Sequence, residues 1–372
     1  MTNAQRDEGL GDAALIRRTL EYVSPVADEA TGYFYALLFL HHPHTRDMFP
    51  VAMDTQRDRL FKALLAAGLL LEEPDRLTAF LRDLGRGHRK YGTRSPDYPA
   101  VGQCLLAALA RYAGEVWSPR TEAAWVRAYA AISQTMIDAA EEDALRNPPW
   151  WLAEIVSHEA RTTDVAVLIV RPEQPYAFTP GQYTAIETPW WPRVWRHYSF
   201  ATAPRADGLL SFHVRAVPAG WVSTSLVRRA RPGDVVRLGP PLGSMTVDHT
   251  AASDLLCLGG GTGIAPIRAM VEDVARHGSH REMQVFYGAR REDDLYDLEN
   301  LRRFERAYSW LTVHPVVGAL PEAVSRRGPW TEYDAYLAGP PPMVRSGVRI
   351  LTEGGVPAGA IRHDDLEHLV RD

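Results

Sequence analysis

Through the first 147 residues apolar positions recur at helical spacing, and the prolines Pro43, Pro50, Pro74, Pro96, Pro99 and Pro119 stand where they divide helices. Ser118-Pro119 predicts a helix start, serine as cap and proline in the first turn, and Trp125, Tyr129, Ile132 and Met136 then share one face. Phe80, Leu84, His88 and Tyr91 predict another stripe, apolar except for one imidazole. The texture changes at Asn147-Pro148-Pro149-Trp150-Trp151. Short alternating runs follow, such as Val165–Val170 and Leu210–Val214, broken by Pro and Gly as in an antiparallel barrel. From Ala251 the runs become strand-then-helix: Asp254–Leu258, Met283–Tyr287 and Asp334–Ala338 read as parallel strands of a doubly wound α/β domain. The expected domains are 1–147, all-α; 148–250, antiparallel β-barrel; and 251–372, doubly wound α/β.

Composition narrows the classes of partner. The 372 residues carry a formal net charge of −5 and show no basic cluster interleaved with aromatics, which argues against nucleic acid. Two cysteines, Cys104 and Cys257, lie far apart without metal-ligand spacing, which suits a reducing compartment. The longest apolar run, Ala63 to Leu71, is too short to cross a bilayer, and the acidic N-terminus is unlike a signal peptide. The expectation is a cytoplasmic protein, a monomer or weak dimer, with no membrane partner.

Chemistry concentrates at a few points. A neutral imidazole on an apolar wall is what an axial haem ligand requires, although a lone buried histidine is more often a hydrogen-bonded core residue. Arg196-His197-Tyr198-Ser199 follows Pro180-Gly181-Gln182-Tyr183 and combines a pyrophosphate clamp, an aromatic cover for an isoalloxazine and a hydroxyl for its N5 edge. Gly220, Val222 and Ser223 lie where backbone donors can receive phosphate at a helix N-terminus. Gly259, Gly260, Gly261, Thr262 and Gly263 follow a strand and open a helix, the context in which glycines let backbone approach a pyrophosphate. Gly339 and Pro340 repeat that transition, near where a nicotinamide would lie. Arg290 and Arg291 suit either a 2′-phosphate or an exposed helix start.

Residues 152 to 372 resemble the ferredoxin-reductase type of flavin and pyridine-nucleotide module. That resemblance implies FAD and hydride transfer from NAD(P)H. Two departures imply a slower or differently tuned hydride step: Ala338 replaces the usual cysteine before Gly-Pro, and the C-terminus reads Asp364-Asp365-Leu366 without an aromatic. Joined to a globin, such a module resembles the flavohaemoglobin family. Tyr33–Phe39 with Pro43 and Phe49, and Asp97–Gln103 after His88, match it at specific points. The resemblance implies haem b with His88 as its iron ligand and Phe49 packed on the porphyrin. Tyr98 would be the proximal tyrosine, and Tyr35 the phenol over the iron. It implies dioxygen and nitric oxide as substrates and nitrate as product. The family's acid beside the proximal histidine falls on Ala140, with Glu141 and Glu142 rotated away, and its distal glutamine would fall near Arg59 or Leu60. An NAD(P)H-driven reductase with another oxidant, and an oxygen- or redox-responsive globin, are the alternative readings.

Overall fold

The computed structural model describes residues 10–278 and 281–363, so Asp364-Asp365-Leu366 lies outside the described residues. The chain divides into two compact units after Trp150. The first is helical: α1 (Asp12–Val23), α2 (Ala27–His41), α3 (Asp54–Leu69), α4 (Pro74–His88), α5 (Asp97–Tyr112) and α6 (Pro119–Ala144). Ser118 caps α6 as expected, its Oγ accepting the Thr121 amide at 3.1 Å. Phe34, Tyr35, Leu38, Leu105, Leu109 and Trp125 make the main core. A smaller cluster of Leu81, Tyr98 and Met136, with Phe80, Leu84 and Ile132 against it, joins α4, α5 and α6.

Glycine sets how closely two of these helices meet. A Cβ at Gly85 would stand 2.3 Å from the Met136 carbonyl oxygen, so α4 touches the backbone of α6 one turn before His88. The α-helix ends at His88, and Tyr91 lies in the 3₁₀ turn Arg89–Tyr91, not on a continuing α-helical stripe. Gly92 then reverses the chain at φ +83°.

The second unit begins with six strands, β1 (Trp151–Ala160), β2 (Val165–Pro172), β3 (Tyr183–Glu187), β4 (Trp195–Ser199), β5 (Leu210–Arg215) and β6 (Val235–Leu238), with α7 (Trp221–Arg228) between the last two. Their order is β4-β3-β6-β1-β2-β5, every pair antiparallel, and a bridge from Phe200 to Phe212 links the two edges. Alternation points Ile155, Leu168, Phe212 and Leu238 inward, where each is at most 1% exposed, so this face is a filled core with no lumen. The parallel sheet follows, with β7 (Asp254–Gly260), α8 (Ile264–His277), β8 (Met283–Ala289), α9 (Leu298–Ala307) and β9 (Leu311–Val317). It continues through α10 (Leu320–Ser325), β10 (Tyr333–Ala338), α11 (Pro341–Glu353) and β11 (Ile361–His363). The strand order is β11-β10-β7-β8-β9. The chain leaves β7 for β8 on one side and returns to β10 on the other, so a topological switch point lies between β7 and β10. Strand β7 runs through Gly259 and Gly260, so the turn begins at Gly261, two residues later than the glycine run suggests.

Candidate functional site

In the helical unit, His88 closes α4 and is partly buried. Its Nδ1 lies 2.7 Å from the Leu84 carbonyl oxygen. A carbonyl can only accept, so Nδ1 carries the proton and Nε2 keeps its lone pair. Burial lowers the pKa of His88 and favours the neutral form. A neutral imidazole with a fixed tautomer is the donor that haem iron needs. The acids that follow Ala140 are engaged elsewhere: Glu141 accepts from Ser95 at 2.8 Å, Glu142 pairs with Arg82, and Asp143 with Arg89. The described partner of His88 is therefore a backbone carbonyl and not a carboxylate.

Tyr35 on α2 is 4% exposed, and burial raises its pKa, keeping the phenol protonated. Its ring packs on Phe39 and Phe49 at 5.8 and 5.4 Å. The Tyr35 hydroxyl donates to the Gln56 carbonyl at 3.5 Å, a weak bond that a better acceptor can displace. The Tyr91 ring stands edge-on to the His88 ring with centroids 6.2 Å apart. Tyr98 is buried in the cluster that carries Leu84, and its pKa is pushed up to about 12 by burial and by Asp97. Its carbonyl accepts the Tyr129 hydroxyl at 2.6 Å. The Gln56 group that Tyr35 meets is its main-chain carbonyl, at the start of α3, one helical turn before Arg59 and Leu60.

In the barrel, β3 and β4 pair Tyr183 with Ser199, Thr184 with Tyr198, Ala185 with His197 and Ile186 with Arg196. Strand alternation therefore divides the predicted flavin residues. Arg196 and Tyr198 share one face, while His197 and Ser199 share the other with Tyr183, whose ring is 5.2 Å from His197. The loop between these strands reaches α7: Trp191 stacks on Trp221 at 4.8 Å and donates to Ser225 Oγ at 2.9 Å. The α7 N-terminus has Gly220 as cap and no side-chain capping bond, which leaves first-turn amides for an anion. Ser223 Oγ accepts the Val217 amide and donates to the Gly220 carbonyl, both at 3.3 Å, and so fixes the turn. Val222 is 1% exposed, so its side chain belongs to the core and only its backbone can face a ligand.

At the switch point the two glycine turns touch. A Cβ on Gly263 would stand 2.2 Å from the Ala338 carbonyl oxygen, and one on Gly260 would stand 3.2 Å from Pro340. Gly261 and Gly339 have φ +56° and +151°, conformations that side chains disfavour. Thr262 lies in the short 3₁₀ turn at the start of α8. Three contacts escaped sequence reasoning. Arg215 on β5 lies against Gly261 and pairs with Asp164 at 2.7 Å. His213 Nδ1 lies 2.9 Å from the Tyr296 hydroxyl, and burial pushes the His213 pKa down to about 3. Glu272 on α8 accepts the Ala203 amide at 3.0 Å. His213–Tyr296, Ala203–Glu272 and Arg215 against Gly261 tie the barrel to the parallel-sheet part of the same unit.

Comparison with known proteins agrees with this division. The globin family matches residues 32–136, the oxidoreductase FAD-binding domain 152–247 and the oxidoreductase NAD-binding domain 257–348. The chain is 32% identical over 235 residues to the ferredoxin–NAD(P)+ reductase component of naphthalene dioxygenase and salicylate hydroxylase systems of Ralstonia sp.. That match covers 57% of this chain and 71% of the relative. Two Pseudomonas putida electron-transfer components are 33% and 34% identical, and the match spans 61% of each. The flavohemoprotein of Bacillus subtilis is 25% identical over 292 residues, 74% of this chain and 72% of that one. The crystal structure of a Malassezia yamatoensis flavohemoglobin with bound FAD and heme has the same fold. It superposes with a TM-score of 0.79 at 20% identity, covering 95% of this chain and 98% of that one. The chain is thus a globin followed by an oxidoreductase module of the ferredoxin-reductase class. Its order of domains and its fold are those of the flavohemoglobin it superposes on.

Proposed function

We propose that this protein is an NAD(P)H-dependent nitric oxide dioxygenase of the cytoplasm, working as a monomer or weak dimer. Residues 1–147 would hold haem b, 148–250 FAD and 251–372 the nicotinamide coenzyme. The observation that carries the reading is the state of two side chains, His88 and Tyr35. The imidazole has its tautomer fixed by Leu84, and the buried phenol has only a weak internal acceptor. When bound, the cofactors supply hydride transfer from NAD(P)H to flavin, single-electron transfer to haem, and oxidation of nitric oxide by dioxygen to nitrate. One hydride carries two electrons and each nitrate formed consumes one, so one NAD(P)H serves two nitric oxide molecules.

The chain's own residues bind and orient. His88 Nε2 would ligate the iron, with the Leu84 carbonyl holding the ring. Phe39 and Phe49 pack against the Tyr35 ring, and Tyr35 would donate a hydrogen bond to a bound ligand that gains negative charge while keeping its proton. Arg196 would supply charge to the flavin pyrophosphate beside the α7 amides and Tyr198, on the same strand face, would cover the ring, while Ser199, where β4 ends, would offer its hydroxyl to the polar edge. Gly259 to Gly263, with Gly339 and Pro340, receive the dinucleotide at the switch point.

Steady-state NADH oxidation tests this. Addition of nitric oxide under air should accelerate it, with two nitrates formed per NADH. A rate indifferent to nitric oxide would favour a reductase with another oxidant. That second reading rests on the higher identity, 32–34%, of the reductase-component relatives.

A further inference from the structure

Away from both nucleotide sites, His249, Asp273 and His277 gather on the outer side of the reductase unit. Each offers one ligand atom, and the three atoms lie within 4.8 Å of one another. His249 Nε2 is 2.7 Å from Asp273 Oδ2, His277 Nδ1 is 3.5 Å from Oδ1, and the two rings stack at 3.7 Å. We propose that these three side chains form a binding site for a divalent transition metal of the zinc class, in which two imidazole nitrogens and one carboxylate oxygen leave a further position for water.

The donor set suits such an ion, because imidazole and carboxylate together favour zinc and its neighbours over calcium or magnesium. Both sides of the site are held in place. Asp273 and His277 are one turn apart on α8, whose inner face of Met270, Val271 and Val274 is buried. His249 stands on the segment joining β6 to β7. There Asp248 Oδ1 accepts the Thr250 amide at 2.8 Å, and the Asp248 carbonyl accepts from Arg281 at 2.7 Å.

Charge gives a second argument. Asp273 is 10% exposed, and among the described residues its ion-pair partners are these two imidazoles, with no guanidinium or ammonium group. A carboxylate with little water needs a compensating positive charge. A dication held among the three ligand atoms, which lie within 4.8 Å of one another, would supply that charge. Ligand atoms on a tetrahedral zinc, at bonds of about 2.0 Å, stand about 3.3 Å apart. Two stacked rings cannot both hold one ion in their planes, so His277 must turn and release its 3.0 Å contact with the Asp273 carbonyl. It is 53% exposed and free to do so, whereas His249 is 25% exposed. Occupancy would pin the β6–β7 connection to the helix that opens at the glycine turn.

The test is a zinc titration of the full haem- and flavin-loaded protein after chelator treatment, followed by zinc K-edge absorption spectroscopy, which iron does not obscure. One zinc should bind per chain with scattering from two imidazoles at about 2.0 Å. His249→Ala and His277→Ala should each lose one imidazole and weaken binding at least tenfold, and Asp273→Asn should also weaken it. Unaltered haem and flavin spectra would show that the variants fold, and the exposure of His277 makes its variant the safest. Failure of the parent to bind a zinc equivalent, or equal affinity and stoichiometry in the double histidine variant, would overturn the site and leave an ordinary hydrogen-bonded cluster.

Discussion

In the helical unit the proposed ligand-binding groups are side chains, Tyr35 on α2 and His88 on α4, each locked by packing or one backbone bond. In the reductase unit they are largely backbone, exposed at turns where glycine is required: Gly220 before α7, Gly261 to Gly263 before α8, and Gly339 before α11. The first kind of site fails when atoms are removed. The second fails when atoms are added.

The largest effect is expected from deletion in the helical unit. His88→Ala removes the proposed iron ligand, and the purified variant should lose its haem or its five-coordinate ferrous spectrum. A normal spectrum and haem content would place the ligand elsewhere. Arg196→Ala carries the deletion test to the one charged side chain proposed for the flavin. Losing a charge-assisted bond costs about 1.5–3 kcal/mol, so FAD should bind roughly 10- to 150-fold more weakly. An unchanged flavin dissociation constant would leave the pyrophosphate to the α7 amides alone and make the contrast between the units sharper still.

Gly263→Ala is the matching addition. Its Cβ would meet the Ala338 carbonyl oxygen at 2.2 Å, and such overpacking costs about 1–3 kcal/mol. KM for NAD(P)H should rise while haem and flavin contents hold, and an unchanged KM would break the contrast. The smallest effect is electronic. Ala140→Glu should raise the iron–histidine stretching frequency of the ferrous protein by offering His88 a carboxylate in addition to the Leu84 carbonyl. A high frequency already in the parent would show that another acid reaches His88.

How much was legible in the sequence follows the same division. Helical spacing, strand alternation and glycine punctuation marked the three architectures, because each is a periodic property of the chain. Gly261 to Gly263 and Gly339 were legible as turns for the same reason. What escaped has no local signature. Gln56 meets Tyr35 through a main-chain carbonyl, which any residue type supplies. His213 meets Tyr296 across 83 residues of sequence, and Arg215 reaches Gly261 from a different sheet. The Val222 isopropyl group is buried in the barrel core, which leaves only its backbone for the phosphate role expected of this segment.

The central claim, that the helical pocket handles dioxygen, is tested most directly by the oxygen off-rate of Tyr35→Phe. The substitution keeps the ring against Phe39 and Phe49 and removes only the hydroxyl and its weak bond to Gln56. A hydrogen bond to a charged acceptor is worth about 1.5–3 kcal/mol, so the off-rate should rise roughly 10- to 150-fold and nitric oxide turnover should fall with it. An unchanged off-rate would make Tyr35 a core aromatic and would contradict the dioxygenase reading.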